Sequence, residues 1–412
     1  MLFRSASLSE YVFWDSRDLS SISNIQFSGK NTHNQYNLSY KFRLSDIRSL
    51  QTQARSKNVS LANLSFEDTF RHYSLVLGRQ YPTAGAIGRF DGLSAKYNFS
   101  DDLSVSVAAG SPYFGSSSDL SRRFYGGEIQ YRVSPNLSSN FYINRGTADG
   151  FPERLAVGSF IEYMNGRDSI IVRSEYDLLY KTINQITLQL NKSINDNYTS
   201  YLLYDKRRSP FLYADRVLNI GSYSPTKEFY SSIAEVLTKS GLTEDQIYQY
   251  ITSTTPYYNS LVIGTSKSIN DKWSASFNLQ ASNLSSTDEI KLSAYDPIPI
   301  TVGVKNNYSL GLHLMGQDIW REGNSPEFCI NYNTGEFKYF SMTAADSYRI
   351  KTKYGANNLS VILRYDSERG YNPASLTAIL RMLYMLSERS TIDTQVILTG
   401  VPSAYIGYHY DF

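Results

Sequence analysis

The chain ends Ser403-Ala404-Tyr405-Ile406-Gly407-Tyr408-His409-Tyr410-Asp411-Phe412. With a period of two, Ala404, Ile406, Tyr408, Tyr410 and Phe412 fall on one face, and Tyr405, Gly407, His409 and Asp411 fall on the other. That alternation predicts a strand with one apolar and one wet side. A soluble sheet gains little by finishing on an exposed Phe beside two tyrosines in line. A strand facing lipid does gain, because its outer face is apolar and aromatics settle at the membrane interface.

The ending resembles the β-signal of outer-membrane proteins, which has a glycine, a hydrophobic residue two places before the end and a terminal phenylalanine. Gly407, Tyr410 and Phe412 match, while Ile406 stands where that signal usually has a polar residue. The resemblance implies that Gly407, Tyr410 and Phe412 serve as an assembly signal read by the barrel-assembly machinery. Outer-membrane lipids are then the surrounding partner.

Composition agrees. The 412 residues suffice for one large barrel. Mean hydropathy is −0.36, and no run reaches the roughly 18 apolar residues of a membrane-spanning helix. The 35 Tyr and 20 Phe are far more than a soluble domain needs, and Tyr is the residue of membrane girdles. A net charge of +2 makes no electrostatic case for nucleic acid. The one cysteine, Cys329, forms no internal disulfide and belongs to no metal-binding spacing. No cofactor is expected. The first residues, Met1 to Leu8, lack the apolar run of about 7–15 residues of a secretory signal. Either that signal is gone or the chain is the C-terminal part of a longer protein, and the second is expected.

Period-two segments recur, as at Tyr36–Phe42, Leu93–Phe99, Leu103–Ala109, Trp273–Ala281 and Leu359–Tyr365. Each is about ten residues long, the length a tilted strand needs to cross the hydrocarbon. Tight turn sequences such as Ser100-Asp101-Asp102, Ser134-Pro135-Asn136, Asn165-Gly166-Arg167 and Asn333-Thr334-Gly335 separate some of them. Longer stretches separate others: Ser45–Asn58, Gln80–Gly88, Ser111–Ser121, Gly146–Glu153, Ser209–Pro256 and Gln317–Ser325. Short periplasmic turns alternating with long outside loops give an all-β, transmembrane antiparallel barrel of about 24 strands (range about 18–26). It occupies residues 1–412 as a single domain, with a helical insert at 207–256.

Within that insert the period changes to 3.6. Ser224 and Pro225 suit a helix start, and Phe229, Ile233, Val236 and Leu237 make an apolar stripe that Gly241 ends. Thr243-Glu244-Asp245-Gln246 is a capping box for a second helix carrying Ile247, Tyr250 and Ile251. The two form an αα-hairpin in an outside loop. Phe229, Ile233, Leu237, Ile247 and Tyr250 are candidates to plug the lumen, because a barrel this wide is not filled by its own side chains.

Three stretches together resemble the C-terminal barrel of large Gram-negative outer-membrane proteins that carry tetratricopeptide repeats (TPR). They are Leu77–Gln80 with Gly88–Gly92; Arg207–Pro210 before the insert; and Leu314–Gly323. The resemblance implies a porin-like barrel acting as anchor or conduit for a larger envelope or export assembly, with a periplasmic repeat domain or export partners. No helical repeat of about 34 residues lies in this chain. The alternatives are a free-standing diffusion porin and an outer-membrane hydrolase.

Hydrolase chemistry is poorly supplied. There are four histidines. His72 and Ser74 would share a strand face, but Leu75-Val76 follow where outer-membrane phospholipases have Asn-Gly. No enzymatic role is expected. The wet face carries Lys41, Arg43, Lys96, Arg132, Arg173, Lys272, Arg364 and Arg381, opposed by Glu128, Glu162, Glu175, Asp177, Asp366, Asp393 and Asp411. Arg349, Lys351 and Lys353 rise along one strand and would attract anions unless acidic neighbours cancel them. Arg173 and Glu175 join these three as lumen-lining candidates.

Overall fold

A computed structural model of the chain describes residues 5–15, 19–33, 35–49, 55–81, 88–114, 117–118, 121–208, 212, 217–218, 220, 230–286, 306–335, 338–352, 355–367, 374–399 and 403–411. Among these residues, 22 strands form one closed antiparallel barrel. A two-residue arm, Ser117–Ser118, pairs only with the strand Leu103–Phe114 and lies outside the ring. The ring strands run from 8 to 15 residues. Each pairs with its sequence neighbours, and the first, Ser5–Asp15, also pairs with the last, Ser403–Asp411. Closure gives every ring strand a partner on both edges, as a β structure in hydrocarbon must have.

The two faces follow the pleat. Leu202, Ile263, Leu279 and Leu310 stand abreast on four adjacent strands and point outward. Leu64, Leu77 and Leu93 do the same elsewhere on the ring. Ile263, Leu279, Leu64, Leu77 and Leu93 are exposed and Leu202 and Leu310 half-buried; together they form the belt that meets lipid. Leu279 is 47% exposed, whereas Asn278 faces inward against Gly264 and Gly311. Leu279→Arg is therefore expected to destabilise the barrel by about 2–4 kcal/mol, and Asn278→Arg to be mild. Urea unfolding in lipid vesicles measures both, and equal penalties would refute this assignment of faces.

The two ends differ. At the end that holds both termini, connections are short, as between His33 and Tyr36, Asn165 and Asp168, or Ser387 and Ser390. The longest connections, after Arg208 and after Leu284, lie at the other end. The short-turn end is periplasmic in a bacterial barrel. Strict alternation corrects two assignments made from turn chemistry alone. The Gln317–Ser325 connection is periplasmic, and the Asn333–Gly335 turn is at the outside end. Length and polarity misled there, because a seven-residue turn tied by backbone hydrogen bonds and one Asp318 side-chain bond also reads as a long loop. The stretch Ser45–Asn58 is largely strand, within Tyr36–Ser49 and Arg55–Asp68. The stretch Gly146–Glu153 closes on a two-residue turn, where Asp149 and Gly150 both take positive φ (51° and 80°). The count is 22 rather than 24 because such long polar stretches are strand extended above the membrane.

Candidate functional site: the lumen and its helical insert

Of the residues that match the expected assembly signal, Gly407 and Tyr410 lie at the seam between the last strand and the first. Gly407 faces inward opposite Tyr11 of the first strand, and a Cβ there would run into the Tyr11 ring. The glycine is thus the seat on which the first strand's tyrosine lies. Tyr11 also meets Tyr405 with ring centroids 6.4 Å apart. Tyr410 pairs with Leu8 and Ser390 in the last strand. Phe412 lies outside the described residues, as do Phe229 and Lys353.

Lumen charges are of mixed sign, and several are paired. Arg381 donates to Asp393 at 2.9 Å, and Tyr405 donates to the same carboxylate at 2.7 Å. Arg364 meets Asp366 at 2.8 Å and Lys351 meets Glu322 at 2.6 Å. The Lys351 rung of the expected cation ladder is therefore neutralised by the periplasmic turn beneath it. Arg173 lies 5.5 Å from the Phe160 ring centroid. Glu175 is the hub of a buried cluster: it accepts from Arg154 at 2.5 Å, Tyr142 at 2.6 Å and Asn184 at 2.8 Å.

The insert contains α1, Ile233–Lys239, and α2, Glu244–Thr254. The capping box is formed as its spacing predicts, with Thr243 and Gln246 each accepting from the other's backbone N–H. Gly241 ends α1 at φ +69°. The start of α1 differs: Ser232 is its cap, so Tyr230–Ser232 precede the helix, and the expected cap Ser224 lies outside the described residues. Ser232 wins because its hydroxyl accepts the Glu235 N–H. Lys239 and Ser231 hold the Glu235 carboxylate down at about 2, by hydrogen bonds to its charged form. What Glu235 adds to α1 is complete above the ordinary carboxylate range and is lost as pH falls towards 2.

Ile233, Ile247, Tyr250 and Ile251 are buried and Leu237 is half-buried, in one cluster with Val236, Leu242 and Tyr248. The cluster continues into the barrel rim through Ala148, Phe151 and Tyr180. Tyr248 connects them. Its ring lies 5.4 Å from Phe151 and 5.2 Å from Tyr180, and its hydroxyl donates to the Pro152 carbonyl at 2.9 Å. Burial first, then the negative charges of Glu244, Asp177 and Asp245, push the Tyr248 hydroxyl up to about 12. Arg208, the last residue of its strand, clasps the far end of α2. It donates to the Thr252 carbonyl at 3.0 Å, to the Thr255 carbonyl and to Thr182 Oγ1, with its guanidinium 3.9 Å from the Tyr257 ring centroid.

Three inward-facing residues of the wall are buried. Asn144, Ala156 and Asp177 stand abreast on three strands and are 3%, 0% and 1% exposed. Sequence reasoning missed Tyr248, Phe151 and Tyr180. The readable signal was Leu178-Leu179-Tyr180-Lys181, a turn without Gly, Asn or Pro, in which Lys181 itself takes φ +50°. Apolar residues at a hairpin tip imply a covering partner.

His72 is corrected: it sits in a turn at φ +59°, and the strand begins at Tyr73, so His72 and Ser74 do not share a strand face. Among the described residues no group of His, Cys, Asp and Glu is arranged to hold a metal.

The fold and the lipid-facing belt are those of a bacterial outer-membrane β-barrel, and that is the class to which the chain belongs. Similar solved structures include the P pilus usher (PapC) translocation pore, at 9% identity and TM-score 0.54, over 99% of this chain and 98% of that one. The ferric enterobactin receptor PfeA of Pseudomonas aeruginosa matches at 9% identity and TM-score 0.59, over 99% and 80%. The siderophore receptor PirA of the same organism matches at 9% and 0.56, over 99% and 80%. Likeness at this identity is one of fold. No family model and no curated protein matches the chain.

Proposed function

We propose that the barrel is an outer-membrane conduit narrowed at its outside mouth by the helical insert, and that it forms the membrane part of a larger envelope or export assembly. The carrying observation is the shared core of insert and rim around Tyr248, above the buried wall patch Asn144, Ala156 and Asp177. A lumen of 22 strands is wide enough to leak solutes unless something occupies it. Being a translocation pore, the usher is consistent with such a conduit. The assembly role rests on the resemblance of the Leu77–Gln80 and Gly88–Gly92, Arg207–Pro210 and Leu314–Gly323 stretches to TPR-carrying barrels.

Arg208→Ala tests the narrowing. Loss of the clasp leaves the Thr252 and Thr255 carbonyls without that donor. The variant is expected to be cut several-fold faster by protease within the insert and to admit larger sugars in proteoliposome swelling. Free passage of those sugars through the unaltered protein would favour a diffusion porin instead.

A further inference from the structure

The third resembling stretch has no part in the insert, yet it builds something at the opposite end of the lumen. Between Gly316 and Asn324 the chain makes a periplasmic turn. Asp318 accepts the Gly323 N–H at 2.5 Å, and the Asp318 N–H donates to the Asn324 carbonyl at 2.7 Å. Gly323, at φ +86°, presses on the backbone of Arg349: the Arg349 N–H donates to the Gly323 carbonyl at 2.7 Å, and a Cβ on Gly323 would collide with the Arg349 carbonyl. The turn therefore fixes Arg349. It also supplies Glu322, which occupies Lys351.

Arg349 itself stays open. Ile350 points to lipid, so Arg349 points into the lumen, where it is exposed. Among the described residues no carboxylate lies within ion-pair distance of it. Beside it is a recess of about 400 Å³ lined by Ser347, Asn358, Ser360 and Arg381. Arg381 is taken by Asp393, which Tyr405 also occupies. Ser347 and Ser360 hydrogen-bond to one another at 2.9 Å. The recess thus combines hydroxyl and carboxamide groups with a guanidinium, that of Arg349, which has no ion-pair partner among the described residues.

We infer that this recess is a binding site for small carboxylates at the periplasmic mouth of the lumen, with Arg349 as the anchoring cation. A planar guanidinium matches a carboxylate with two parallel hydrogen bonds, a geometry that an ammonium lacks. Asn358 and the serine pair supply neutral donors for the rest of the anion. The site is distant from the insert and its test needs no conduction, so it stands or falls separately from the narrowing.

The experiment is NMR line broadening of ¹³C-succinate by the purified full chain in detergent micelles, with neutral succinamide as control. Binding of succinate and not succinamide is expected. Arg349→Gln should weaken it by about tenfold or more, the loss of one charge-assisted pair. Arg349→Lys should fall between, because charge remains and the fork is gone. Arg173→Gln, at an exposed lumen arginine outside this recess, should change nothing. Equal weakening by Arg173→Gln would mean that the lumen's general field attracts succinate, and would overturn the site. So would unchanged binding by Arg349→Gln, or succinamide binding as well as succinate. Arg349→Lys keeps the positive charge at this position and decides the matter if Arg349→Gln fails to assemble: Lys binding equal to Arg contradicts a bidentate site.

Discussion

Replacing Leu212–Thr254 by a short Gly-Ser linker is expected to raise single-channel conductance in planar bilayers several-fold. The helices that would be lost have 7 and 11 residues, too few to be stable alone in water. Their stability comes from the shared core with Phe151 and Tyr180 at the rim. Removing them leaves those rim residues bare and the mouth as wide as a 22-stranded ring allows. The strands that flank the insert, Tyr198–Arg208 and Tyr257–Ser268, pair with one another over their whole length, so the ring should survive the deletion. Unchanged conductance in a heat-modifiable barrel would make the insert a surface feature.

Gly407→Val is expected to give the largest loss of assembled protein. Nine residue pairs join the last strand to the first, and Gly407 is the one on which Tyr11 lies. A branched side chain forces the Tyr11 ring off its seat and into the lumen, at the one pairing that joins chain positions hundreds of residues apart. This pairing is the most non-local of the ring, with partners about 400 residues apart in the chain. The measurement is the heat-modifiable fraction in outer-membrane extracts. Tyr11→Ala combined with Gly407→Val should recover part of the loss, since the double variant removes the clash. No recovery would mean that Gly407 acts through the assembly signal rather than through Tyr11.

Much of this architecture was readable in the residues. Period-two alternation at Trp273–Ala281 or Leu359–Tyr365 gave both strand and face, because one side meets lipid and the other water. The capping box at Thr243 and the stop at Gly241 gave two helix boundaries, since both depend on local hydrogen bonds and φ alone. What was not readable depends on neighbours far along the chain. The Tyr11 seat on Gly407, the Tyr248 contact with Pro152 and the neutralisation of Lys351 by Glu322 each join residues that sequence spacing does not relate. The side on which Gln317–Ser325 falls needed the parity of the strand count, and an error of two strands in the total leaves that parity intact while misplacing individual turns.

The covering of the lumen wall is tested most directly at Ala156, which points inward and is 0% exposed. With Cys329→Ser to remove the native thiol, Ala156→Cys can be labelled by a membrane-impermeant maleimide added to folded barrels. Protection in the full chain and rapid labelling after deletion of Leu212–Thr254 are expected. Equal labelling rates with and without the insert would contradict a mouth narrowed by it.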